Sequence, residues 1–143
     1  MATEKKEKQF KVARDVAEDE FARWATSLGL EHKFDEDFAD PVSLKTLRAH
    51  RNAVVRAIVY GHAVVNESGD LLFTPQFSPH KEALKFRRPK GSDYKLMDKH
   101  SGGTERTLAL LCSVTGQNDI VFDQMDFAYD GDFCNSVAAL FLG

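Results

Sequence analysis

The sequence of 143 residues has little cysteine or proline and lacks long apolar runs. Its two cysteines, Cys112 and Cys134, stand in separate apolar segments and form no CxxC pair, so we expect reduced thiols rather than a disulfide framework. No run approaches the roughly 18 apolar residues of a membrane span, and the charged N-terminus has no apolar signal core. Four prolines and nine glycines beside 11 phenylalanines exclude a collagen-like or wholly disordered chain.

The chain also lacks a large net charge, because its 19 basic residues nearly balance its 22 acidic residues. The charges are nevertheless segregated along the chain. Residues 81–106 hold eight basic and four acidic side chains, whereas residues 107–143 hold five aspartates and neither lysine nor arginine. Opposed blocks of this kind favour head-to-tail self-association or a partner with matching patches, although each block is equally interpretable as a solvated face.

The apolar periodicity predicts two helices in the first half of the chain. Residues 1–9 are mostly lysine and glutamate, which predicts a flexible tail, and residues 10–143 are expected to form one domain. Apolar side chains at intervals of three and four mark one face of a helix over residues 10–28. A second helix is expected to open at Asp40-Pro41 and to end near Gly61.

The period then changes to that of strands. Residues 63–65 and 71–73 flank a segment rich in turn formers, which predicts a hairpin, and residues 83–87 alternate as a third strand. Ser92 and Thr104 are expected to cap short helices, and a last helix is expected to begin at Asp130 or Asp132. The sequence therefore predicts an α+β fold: two N-terminal helices, a small antiparallel sheet of about three strands, and three or four short C-terminal helices.

Motifs for catalysis or metal binding are missing from the sequence. The five histidines are far apart, and no phosphate-binding loop or nucleophile elbow is present. Residues 126–132 resemble the start of a calcium-binding loop, because Gly131 matches the glycine at the sixth position when Asp126 is the first. Ala128 and Val137 then occupy the third and twelfth positions, where oxygen ligands are needed, so we reject a calcium site. We therefore predict a non-enzymatic protein with no metal and no cofactor. The basic cluster of Arg87, Arg88 and Lys90 leaves a DNA-binding regulatory module as an alternative, which is less favoured because the chain as a whole is acidic.

The last predicted helix carries an apolar stripe of Phe133, Val137, Leu140 and Phe141. This stripe is interpretable as core, or as a surface that holds a partner helix and is only partly covered by the domain. The second interpretation predicts that Phe141→Asp weakens partner binding without unfolding the domain. Arg87 and Arg88 are the remaining candidate partner-binding residues.

Several pieces follow one another in a fixed order and spacing from residue 64 onward: a hairpin (64–76), ALKFRRPKGSDYKLMDK (83–99), TLALLCSVTG (107–116), DIVFDQMD (119–126) and DFCNSVAALFLG (132–143). In the order and spacing of these pieces, the chain resembles the bacteriophage tail assembly chaperones. Residues 1–62 have no counterpart in this resemblance.

The resemblance implies a protein that binds the tape-measure protein and promotes assembly of the tail tube around it. It further implies a role in the host cytoplasm, absence from the mature virion, and a longer form of the same chain produced by ribosomal frameshifting. The tail tube protein is a further implied partner, and nucleic acid and membrane are not expected. The opposed charge blocks, rather than the resemblance, suggest a homo-oligomer. The main rival is a structural tail or connector protein that stays in the virion.

Overall fold

The computed structural model describes residues 11–142, so the predicted tail over residues 1–9 lies outside the described residues. The helices are α1 (Arg14–Leu28), α2 (Pro41–Val59), α3 (Gly91–Met97), α4 (Gly103–Thr115), α5 (Asp119–Asp123) and α6 (Asp132–Leu142). Three strands, β1 (Ala63–Val65), β2 (Leu71–Phe73) and β3 (Leu84–Phe86), stand between α2 and α3. This order confirms the α+β class and its two N-terminal helices, three-stranded sheet and C-terminal helices.

The two N-terminal helices have clear start and stop residues. The carboxylate of Asp40 accepts hydrogen bonds from the backbone N–H groups of Val42 and Ser43, and Pro41 fits the first turn of α2, where no intrahelical donor is required. α1 ends at Gly29, whose φ of 72° lies in the left-handed region that glycine adopts without strain.

The sheet is a meander in the order β1-β2-β3, with both pairs antiparallel. The turn between β1 and β2 is closed by the backbone N–H of Asn66, which donates to the carbonyl of Asp70 over 2.9 Å. Alternate strand residues point into the core, as the period of two requires. These buried strand residues are Ala63, Val65, Leu71, Phe73, Leu84 and Phe86.

The expected caps Ser92 and Thr104 are each wrong by two residues, because Lys90 and Gly102 occupy the capping positions. α3 begins at Gly91, because the carboxylate of Asp93 accepts a hydrogen bond of 2.6 Å from the backbone N–H of Lys90. α4 begins at Gly103, one residue before Thr104. A charged acceptor inside the first turn of α3 therefore takes the place of a serine cap.

α6 contributes to the one apolar core that the N-terminal helices and the sheet share. It packs along α2, and its two ends reach different aromatic clusters. The ring of Phe133 stacks on Phe73 of the sheet with centroids 4.0 Å apart, and the ring of Phe141 lies 5.9 Å from Trp24 of α1. The last helix is therefore part of the centre of the fold.

Candidate binding surface

The apolar stripe that the sequence suggests as a partner surface belongs to the core. Phe133, Val137, Leu140 and Phe141 are all buried. The expectation that this stripe is only partly covered is wrong, because α6 sits between the sheet, α2 and α1. These elements supply apolar neighbours that cover this face of the helix. At most 7% of any of these four residues is exposed, which is too little for a partner to bind.

The two candidate arginines are engaged within the chain. The guanidinium of Arg87 donates to both carboxylate oxygens of Asp93, over 2.7 and 2.9 Å, and to the carbonyl of Ser113 over 3.0 Å. The hydrogen bond from Arg87 holds the pKa of Asp93 well below its usual range, and the same bond raises the pKa of Arg87. Arg88 is exposed, and its guanidinium donates to the carbonyl of Ser27 over 3.2 Å. The hydrogen bonds of both arginines thus fasten β3 and the loop after it to α1, α3 and α4.

A groove of about 840 Å³ runs between α4 and α6, closed on a third side by α5 and the turn that follows it. We call it the α4–α6 groove. Its apolar lining includes Leu108, Leu111, Phe122, Met125, Ala139 and Leu142. The side of α6 that faces this groove is different from the side that carries the buried stripe. α6 therefore contributes to a surface, but through residues that the stripe does not include.

Large apolar side chains at the edges of the groove are open to solvent. Phe127 is 83% exposed and Leu142 is 42% exposed. Beside Leu142, α6 presents the small, half-buried side chain of Ala139, which leaves room for a close approach of another backbone. A concave apolar strip with exposed apolar edges has the shape that accepts an amphipathic helix.

The turn between α5 and α6 is shaped by Asp126. Its carboxylate accepts hydrogen bonds from the backbone N–H groups of Tyr129 and Asp130, over 2.8 and 3.0 Å, and these bonds lower the pKa of Asp126. The chain forms a π-helical turn over Phe127–Gly131, in which the N–H of Gly131 donates to the carbonyl of Asp126. A Cβ at position 131 would lie 2.9 Å from that carbonyl oxygen, so glycine is required there.

Asp130 ties this turn to the loop after β2. Its buried carboxylate accepts hydrogen bonds from the backbone N–H groups of Gln76 and Phe77 and from the hydroxyl of Ser78, over 2.6 to 2.9 Å. The hydroxyl of Ser78 in turn accepts from the backbone N–H of Asp126. This network gives the aspartate-rich segment a structural role, and it fixes the edge of the groove at Phe127.

A second, more polar cleft of about 570 Å³ lies between α2 and α6. Nδ1 of His50 is 3.1 Å from the hydroxyl of Ser136, and the guanidinium of Arg56 is 3.7 Å from the carboxylate of Asp132. Ser136 is only 3% exposed, so its hydroxyl has little access to a substrate. The geometry fits a hydrogen bond between helices better than a nucleophile and its base.

No helix within residues 11–142 is both long enough and apolar enough to cross a membrane. Over the same residues, no group of three or more histidine, cysteine, aspartate or glutamate side chains is placed to hold a metal ion.

The groove residues of α6 were missed at the level of sequence, although a signal was present. Ala139 and Leu142 stand three residues apart beside the stronger stripe, so the apolar arc of α6 extends beyond the face that the core buries. Thr107 and Leu108 of α4 add the facing wall. An apolar arc that covers two adjacent faces is the pattern that indicates a second contact.

None of the protein-family models, curated proteins or solved structures compared with the chain matches it. The resemblance to tail assembly chaperones therefore remains a prediction from the sequence. Its pieces map onto consecutive elements of the fold: residues 83–99 form β3 and α3, residues 107–116 lie in α4, residues 119–126 form α5, and residues 132–143 carry α6.

Proposed function

We propose that this protein is a non-enzymatic phage tail assembly chaperone that holds an apolar helical segment of the tape-measure protein in the α4–α6 groove. A tape-measure chain exposes apolar helical stripes until the tube encloses it, and such stripes need transient cover. Under this proposal, the protein acts in the host cytoplasm during tail assembly and is absent from the mature virion.

The observation that carries the proposal is the apolar lining of the groove, with Phe127 and Leu142 exposed at its edges. Soluble domains rarely leave a concave apolar surface open unless something binds there. The resemblance supports the identity of the occupant, since α4, α5 and α6 form the walls of the groove and also contain most of the sequence pieces that resemble the family.

The test is co-expression of the full chain with overlapping fragments of the tape-measure protein encoded beside it. We expect one fragment to co-purify with the wild-type chain and to be lost from Leu142→Asp, because a charge at the groove edge opposes apolar docking. Val16→Asp is the matched control, since Val16 is 48% exposed on α1 and does not line the groove.

Three outcomes would contradict the proposal. The first is the absence of any tape-measure gene near this one, and the second is equal retention of the fragment by Leu142→Asp and the wild-type chain. The third is the detection of abundant copies of this chain in purified virions by mass spectrometry, which would support the structural tail protein instead.

A further inference from the structure

We propose that the α4–α6 groove binds its partner helix in one direction, with basic side chains of the helix at the end beside α5. This inference rests on the proposed function and adds to it the chemistry and orientation of the bound segment. It is independent of which tape-measure segment is bound.

The first observation is the charge of the lining. Two carboxylates, Asp123 and Asp126, line the groove, and neither lysine nor arginine is among the lining residues. An apolar helix that also carries basic side chains therefore meets opposite charge in the groove and no like charge from its lining.

The second observation is where these carboxylates lie. Asp123 ends α5 and Asp126 begins the following turn, and this segment joins the C-terminal end of α4 to the N-terminal end of α6. The opposite end of the groove is formed by Gly103 and Thr104, at the start of α4, and by Leu142, at the end of α6. The groove therefore has one acidic end and one uncharged end.

The third observation is that cations of the chain do not neutralise this end. None of the ion pairs formed within residues 11–142 includes Asp123 or Asp126. Nearby Asp130 is held by backbone N–H groups and a hydroxyl rather than by a cation. The negative potential at this end is therefore available to a partner.

The test uses the full chain and three designed helical peptides of about 20 residues, long enough for stable helical turns. All three carry the same leucine and alanine stripe; one has two lysines at a single end, one has glutamates there, and one has glutamines. We expect the lysine peptide to bind about two- to fivefold more tightly than the glutamine peptide at low salt, and the glutamate peptide to bind most weakly. Fluorescence anisotropy gives the three dissociation constants.

Asp123→Asn should remove the preference for lysine while the glutamine peptide still binds. Asp119→Asn is the matched control, because Asp119 lies on the same short helix and lines a different pocket. A nitroxide on the lysine end of the peptide should broaden the amide resonances of α5 and of Phe127 more than those of Gly103 and Leu142.

Equal affinities for the three peptides, or broadening at Leu142 instead of α5, would overturn the inference while leaving groove binding intact. Self-association of the chain without peptide that is lost in Asp123→Asn would also overturn it, because the occupant would then be a second copy. If neither the peptides nor any tape-measure fragment binds, the proposed function itself fails.

Discussion

The two apolar faces of α6 differ in what they contact and in the size of their side chains. One face carries Phe133 and Phe141, which reach the sheet and α1 through aromatic contacts. The other presents Ala139 and Leu142 to an open groove. The difference teaches that the strongest apolar stripe of this short helix is the one that the domain itself needs, whereas the residues beside it line the open groove.

The largest effect is expected from Phe141→Asp. Truncating a buried aromatic ring and burying an unpaired carboxylate should lower the free energy of unfolding by at least about 4 kcal/mol. Urea denaturation followed by circular dichroism measures this loss. Leu142→Asp, one residue further on and half-exposed, should cost less than about 1 kcal/mol. Equal stabilities of the two variants would mean that the two faces of α6 do not differ as described.

A smaller effect is expected from Ser136→Ala, which removes the hydroxyl that contacts Nδ1 of His50 on α2. The loss of this partly buried hydrogen bond should cost about 1 kcal/mol in the free energy of unfolding. Asn135→Ala is the control, because Asn135 is exposed and its replacement should change stability by less than about 0.7 kcal/mol. If Ser136→Ala is as stable as the wild-type chain, the hydrogen bond between His50 and Ser136 does not stabilise the packing of α6 on α2.

The smallest effect is expected at the end of α6. Nζ of Lys33 donates to the carbonyls of Leu140 and Phe141, over 2.9 and 3.3 Å, and burial lowers the pKa of this lysine. Lys33→Met keeps most of the apolar stem but removes the cation from the helix C-terminus, so we expect a loss of about 0.5 to 1 kcal/mol. Lys45→Met, at an exposed position on α2, should be neutral. Thermal unfolding of both variants provides the comparison, and a neutral Lys33→Met would contradict this role.

The order of helices and strands could be predicted from the sequence because local patterns determine where each element begins and ends. The spacing of apolar residues in α1 and α2, the Asp40-Pro41 start and the turn formers between β1 and β2 act over a few residues each. The cap of α3 was misplaced by two positions, because Asp93, which also bonds to Arg87 and Ser113, accepts from the backbone N–H of Lys90. The cap of α4 was misplaced by the same number of positions.

The candidate surface could be predicted only in part. The sequence pointed to α6 as the helix of interest, but it selected the face that the fold buries. The groove itself is produced by the association of α4 with α6, and its edge depends on Asp130 reaching Gln76 and Phe77 more than 50 residues away. Contacts over such separations are set by the tertiary fold, and no local pattern encodes them.

The position of Trp24 gives the protein a built-in optical reporter. It is the only tryptophan in the chain, it is almost fully buried, and its neighbours include Phe21 and Phe141. Its emission therefore responds to the docking of α6 on α1, while a ligand in the α4–α6 groove approaches the helix from another side. The intrinsic fluorescence of one side chain thus separates loss of the fold from occupation of the groove, without any added label.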